Sequence, residues 1–576
     1  MALAWQDAPA ADATRAFGPL ALIAPLLQRL DIAGIIDRHL PPDPQREFSY
    51  GRVLSLLLAA RLCQPTALVN VATWAAASGA DLLWDMPASS LNDDRLGRAL
   101  DAFFTQRHSI QAAVAAQALQ LAELSGQRLH FDPTHLIFYG AYQTSQPRPD
   151  TTPWPPQHSA DVGPAHITHG YAAEEKLIHV GITAAVDDLG AVPLLGQCLD
   201  GNRTNHTAIA QQVDWLLDQG LLSAGSLMVS DRGTFSAEHV ARLHRHGCHV
   251  LCSAPWADYR AVYDEHVAHL QWRRASFLSR EQQRRRDTGS ALPQEHYDLA
   301  VLRHTLTDPQ TSQPIPCRLI FVSSSADAAI CRRTREQDIR RLQAGLQQIA
   351  ATVARGHART TPASITRRVA ALFGRRAAAQ FFRWELLPLS ADEQAALPPP
   401  GPGCRRPTYR FTFAFDAGAA TAAEAYDGLS VLVTTAQRTQ SADALFTQFK
   451  QQNYVELSHH QWKTPLAVRP VFLKSPRRVE ALVCLMQVAL TAYHLLERFY
   501  RRRVPTGAPM AERRLSSESL LREFRGYGLI ARWTRLGRVV QATRLSARQQ
   551  QILRQLQFPT PAQLLAQILP PLPRAG

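Results

Sequence analysis

Three acidic residues and a lysine stand out for what they could do together. Asp132 lies in the apolar stretch LHFDPT, Asp231 ends the apolar stretch SLMVSD, and Glu456 and Lys463 share the segment NYVELSHHQWK. A carboxylate embedded in a strand is costly unless it is paired or binds a metal. Taken singly, each has an ordinary explanation. An aspartate before Arg-Gly often forms a turn, and a helix bearing glutamate and lysine is often a solvated face. Taken together, they offer three hard oxygen ligands, the set that suits one or two Mg²⁺ ions. Two such ions about 4 Å apart can activate a water or hydroxyl and stabilise the leaving oxygen of a phosphodiester. At about 100° per residue, Phe449, Gln452, Glu456 and Lys463 fall within about 60° of one another on a continuous helix.

These residues need elements to position them. Residues 1–125 show apolar positions at three- and four-residue spacing, as in GPLALIAPLLQRLDIAGIIDRHL, and predict a helical domain. Ser90 or Asn92 can cap its last helix. From Gly126 the texture changes. RLHFDPTHLIFYG predicts a short strand broken by Pro133, followed by a Pro-rich loop. Two strands joined at Asp187–Gly190, a helix over about 207–221 and a strand ending at Asp231 come next. A helix capped by Ser236 and the strand CHVLCSAPW complete the pattern of an α/β domain with a mixed sheet over 126–256. Residues 257–425 read as an α+β insertion. The α/β texture then returns over 426–500, with one helix from Ser441 to about Lys463 ended by Pro465. Ser475-Pro476 opens a long apolar helix. Its most apolar part, Ala481–Leu496, is shorter than the roughly 20 residues of a membrane span and reads as a core helix. Residues 501–576 form a basic C-terminal region.

The chain has 576 residues, a net charge of +14 and a pI near 9.7, a balance that favours a polyanionic partner. Only four of the 62 basic residues are lysine, and three of those (Lys450, Lys463 and Lys474) are close together. Arginine-rich stretches around 273–286, 332–341 and 498–548 are candidate DNA surfaces; solvated amphipathic faces are the bland alternative. Trp272, in such a setting, or Trp462 could stack on an unpaired base; packing is the alternative for both. His459 and His460 read as surface or DNA-proximal residues. The eight cysteines are scattered, as expected of reduced cytosolic thiols. In CHVLC the two sulfurs would be separated by about 13 Å of strand, so zinc is not expected there. No secretory signal is visible at the N-terminus.

The FDPT strand, MVSDRGTFS and the block YVELSHHQWKTPLAVRPVFLKSPRRVEALVCLMQVALTAYHLLER resemble DDE transposases of bacterial insertion sequences. The likeness is to the cut-and-paste group that has a ribonuclease H-like core interrupted by an insertion domain. Its signature is Tyr, two residues, Arg, three residues, Glu, six residues, Lys; here those places hold Phe449, Gln452, Glu456 and Lys463. The resemblance implies that Asp132, Asp231 and Glu456 are the catalytic metal ligands for two Mg²⁺ (or Mn²⁺) ions. It also implies that Lys463 steadies a phosphate near the cut. Gln452 would lack the phosphate contact of the arginine, for which Lys450 or Arg438 could substitute. Lys450, Trp272, Arg273, Arg274, Arg284, Arg285 and Arg286 are further expected DNA contacts. The implied partners are the element's terminal inverted repeats and target DNA, with a dimer in the complex, no membrane and a bacterial cytoplasmic, nucleoid-associated location. A decayed or repurposed DNA-binding relative and a structure-selective nuclease are the alternatives.

Overall fold

In the computed structural model, the described residues are 13–568 apart from 125, 149–160, 171–174, 292–294, 357–360, 401–404, 437–438, 465, 467–472 and 535–536. The fold is mixed α/β, with a helical N-terminal region and a large mixed sheet. The N-terminal helices include α1 (Leu20–Arg29), α2 (Ile32–His39), α3 (Tyr50–Cys63) and α4 (Asp93–Ala122). Asn92, not Ser90, caps α4, its side chain accepting the Arg95 N–H at 2.8 Å.

The central strands are β1 (Arg128–Phe138), β2 (Lys176–Asp187), β3 (Gly190–Asp200), β4 (Leu227–Ser230) and β5 (His249–Ala254). Their order is β3-β2-β1-β4-β5. β2 runs antiparallel to both β1 and β3, whereas β4 and β5 run parallel to β1. The predicted turn at Asp187–Gly190 is a two-residue hairpin, with Asp187 opposite Gly190. Pro133, expected to break β1, does not, and the strand runs for 11 residues. The proline lies just past the last pair of β1 with β4, on an edge where a residue lacking an N–H is tolerated.

The chain divides into two compact units, Met1–Ser253 with Arg303–Arg318 and Val433–Gly576, and Ala254–Leu302 with Leu319–Leu432. In the first, α5 (Asn205–Asp218) and α6 (Ala237–Arg245) link the central strands. Ser236 caps α6, as its sequence position predicts. The N-terminal helices share one hydrophobic core with the sheet and with a late helix, Pro476–Arg501. That helix is long and apolar enough to cross a membrane, but its apolar window is wholly buried within the fold. It packs closely on β3, where a Cβ on Gly196 would sit 2.8 Å from Gln487 Cγ.

Between these elements the single helix expected over Ser441–Lys463 is two, α7 (Ala442–Lys450) and α8 (Asn453–Lys463). Gln451 flattens to ψ −6°, and its N–H turns back to Thr447 and Gln448. Phe449 therefore belongs to the helix before the one that carries Glu456. The Pro476–Arg501 helix, α9, follows Ser475, with proline in its first turn as predicted.

The second unit holds the helices Ser325–Ala354 and Pro362–Phe373 and an antiparallel ribbon of Phe382–Pro388 with Tyr409–Phe415. Leu342, Leu346, Ile349, Ile365 and Val369 form its core together with Phe381, Phe382 and Phe411. Trp384 stacks on Phe411 across the ribbon, with centroids 5.7 Å apart.

Candidate active site

Asp132 lies in β1, and Asp231 directly follows β4. The last pair of these parallel strands is Phe131 opposite Ser230, so the next residue of each is an aspartate. Neighbouring strands are about 4.8 Å apart. Asp231 also caps the short turn Arg232–Thr234, accepting the Arg232 N–H, and remains exposed. It is thus a turn former and a neighbour of Asp132 at once.

Glu456 arrives on α8, which lies along β1. At the start of the helix, Gln452 Nε2 donates to the Phe131 carbonyl at 2.9 Å, and its Oε1 lies 2.8 Å from His130 Nδ1. Two turns on, His459 Nδ1 is 3.3 Å from Asp132 Oδ2. At the end, Lys463 Nζ donates to Thr134 Oγ1 at 2.5 Å. Eleven helical residues rise about 16 Å, and four strand residues about 13 Å, so helix and strand advance together. Further ties come from Gln451 to Asp188 at 2.8 Å and from Gln461 to Glu497 at 3.3 Å. Trp462 is fully buried and packs in the core.

Electrostatics link the three carboxylates. Burial, and then the charges of Glu456 and Asp231, push the Asp132 carboxyl up to about 7, while Lys463 pulls it down. Three carboxylates against the one lysine leave the cluster net negative, and its acidic groups all offer hard oxygens, a chemistry that suits a divalent Mg²⁺ or Mn²⁺ ion. Burial, then Lys463, lowers His459 to about 3, so its ring is neutral and supplies no cation.

A tighter grouping exists elsewhere. Among the described residues, only Cys198, Glu480 and Cys484 bring three ligand-type atoms within 4.8 Å of one another. Glu480, however, is already occupied. It accepts from Arg107 Nε at 2.8 Å, from Arg148 at 2.7 Å and from the Ala165 N–H at 2.6 Å. Its carboxyl is held low despite burial by Arg148 and Arg107. This is an ion-pair network, not a cation site. Cys248 and Cys252 donate instead to carbonyls such as those of Ser223 and Asp231.

Two sequence expectations change, and one residue gains a role the sequence did not suggest. Gln452, expected only to lack the phosphate contact of an arginine, is buried against His130 and Phe131 and ties helix to strand. His459 is buried beside Asp132, not on the surface. Part of the 498–548 arginine run is engaged within the fold: Arg498 pairs with Asp187 at 2.7 Å and Arg548 with Glu512 at 2.7 Å. Lys450 sits with its ammonium 5.4 Å from the Phe446 ring centroid. Trp272, Arg273, Arg274, Arg284, Arg285 and Arg286 belong to the second unit. There Trp272 is half-buried, Arg274 pairs with Asp298 at 2.7 Å, and Arg284 and Arg285 share Glu281 at 3.4 and 2.8 Å. Arg273 and Arg286 are exposed. Arg438 and residues 467–472 of the segment after α8 lie outside the described residues.

Residues 13–116 match a family described as a domain of unknown function, DUF4277. No curated protein matches the sequence. Among solved structures, the chain is similar to a piggyBac transposase in a synaptic complex with hairpin DNA. The match has 9% identity over 89% of this chain and 82% of that one. Its TM-score is 0.36, too low to establish a shared fold.

Proposed function

We propose that the chain is a DDE-type DNA transposase of a bacterial insertion sequence, built on a ribonuclease H-like core. The observation that supports this reading is that Asp132 and Asp231 follow the last pair of two adjacent parallel strands, with the charge of Glu456 bearing on Asp132 and Lys463 bonded to Thr134 of the same strand. The β3-β2-β1-β4-β5 order, with three antiparallel strands and two parallel ones, supports the core assignment.

When bound, two Mg²⁺ (or Mn²⁺) ions supply activation of the attacking hydroxyl and stabilisation of the leaving oxygen. Asp132, Asp231 and Glu456 would hold them. Lys463, steadied by Thr134, places a positive charge for a phosphate of the DNA. His459 shields one side of Asp132 from water. Water hydrolyses the phosphodiester at each terminal inverted repeat and frees a 3′-OH, which then attacks a target phosphodiester and displaces its 3′ oxygen. Joining two ends calls for at least two protomers in the complex, acting at the nucleoid in the cytoplasm.

The test is purified protein with Mg²⁺ or Mn²⁺ and labelled DNA carrying the element's inverted repeats. Cleaved and joined products support the proposal. Binding without cleavage favours a decayed relative, and cleavage without joining a nuclease. Asp231→Asn is expected to keep DNA binding and lose cleavage; unchanged cleavage would remove Asp231 from the site.

A further inference from the structure

We infer that Gln452 and His130 form a positioning pair that sets the register of the glutamate helix on the aspartate strand. This rests on reading Asp132, Asp231 and Glu456 as a cation site. Both partners are buried, Gln452 at 7% exposure and His130 at 0%. The bonding roles are fixed by elimination. A carbonyl only accepts, so the amide Nε2 must face Phe131 O, and Oε1 must face His130. His130 Nδ1 therefore carries the hydrogen and donates. The other ring nitrogen, Nε2, is buried without a hydrogen-bond partner, which leaves Gln452 as the polar tie on the ring.

The pair acts on the site through the backbone. The Gln452 carbonyl accepts the Glu456 N–H at 3.2 Å, so the residue gripping β1 also opens the turn that carries Glu456. His130 and Asp132 are two apart in one strand and share a face. A shift of Gln452 relative to His130 is therefore a shift of Glu456 relative to Asp132. Arginine at 452 would offer donors and no acceptor, so His130 could meet it only by moving its ring hydrogen to the buried, unpartnered Nε2. Glutamine at this position is thus a structural tie to the strand.

The experiment is calorimetric titration of Mn²⁺ into the full chain, with amide hydrogen exchange of Asn453–Glu456 read alongside. Gln452→Ala, Gln452→Arg and His130→Leu are each expected to weaken Mn²⁺ binding about tenfold or more. His130→Asn, which keeps a donor near the Nδ1 position, should stay within about threefold of wild type. Exchange at Asn453–Glu456 should speed up in Gln452→Ala. Wild-type affinity in Gln452→Ala or Gln452→Arg would overturn the inference. If Gln452→Ala does not fold, the His130 variants decide, and equal losses in His130→Asn and His130→Leu would overturn it. A wild-type chain that binds no Mn²⁺ overturns the cation reading itself. The exchange data tell that failure apart, because they report the tie between helix and strand without any metal.

Discussion

Two carboxylates of the first unit show opposite solutions to the same problem. Glu480 is almost fully buried, and its oxygens are met by Arg107, Arg148 and a backbone N–H. Its charge is neutralised by the fold. Asp132 is also shielded from water, yet its charged neighbours include Glu456 and Asp231, and its carboxyl is pushed up to about 7. The fold gathers negative charge there and leaves it under-compensated. Proximity of ligand-type atoms would favour the Glu480 cluster as a metal site, whereas charge balance favours the Asp132 cluster, the site proposed above. A buried acid is balanced by two arginines in one case and is faced by further acids in the other.

This contrast can be broken by substitution. The largest expected effect is at the neutralised acid. Glu480→Ala removes the carboxylate that balances the buried Arg107 charge and should cost about 3–5 kcal/mol in urea unfolding, with or without Mg²⁺. Retained stability would mean the network is not a closed ion pair. Next comes the under-compensated acid. Mn²⁺ at a hundred times its Kd should stabilise the wild type by about 2.7 kcal/mol. The same addition should leave Asp132→Asn unmoved, and a chelator should reverse the gain. An equal gain in both proteins would place the ion elsewhere.

Smaller effects sharpen the comparison at its rim. Lys463→Ala should weaken complexes with element ends about tenfold, or about 1.4 kcal/mol, with less effect on non-specific DNA. Equal losses on both DNAs would assign Lys463 a general electrostatic role. Arg285→Ala, at a half-exposed arginine sharing Glu281, should change folding stability by less than about 0.5 kcal/mol.

Much of this arrangement is legible in the sequence, because it is local. Asp132 and Asp231 stand out as acids among apolar strand residues, and the hairpin at Asp187–Gly190 announces itself by its turn residues. His130, Asp132 and Thr134 alternate in β1, a polar face that a helix with matching polar residues could cover. What escaped the sequence depends on distant partners. Gln452 reads as a lost arginine until His130, 322 positions away, is seen against it. Arg498 reads as a DNA contact until Asp187, 311 positions away, takes it. The break between α7 and α8 carries no proline, glycine or capping side chain, so spacing alone predicts one helix. His459 follows the same rule, since an adjacent pair of histidines in a polar segment gives no sign that one of them is covered.

The central claim is that Asp132, Asp231 and Glu456 form the cation site and that the Glu480 cluster does not. Anomalous scattering from crystals grown with Mn²⁺ tests it most directly. The account predicts manganese peaks bounded by Asp132, Asp231 and Glu456, and none at Cys198, Glu480 and Cys484. A peak at Glu480, or an empty site at Asp132 with Mn²⁺ bound elsewhere, would contradict it.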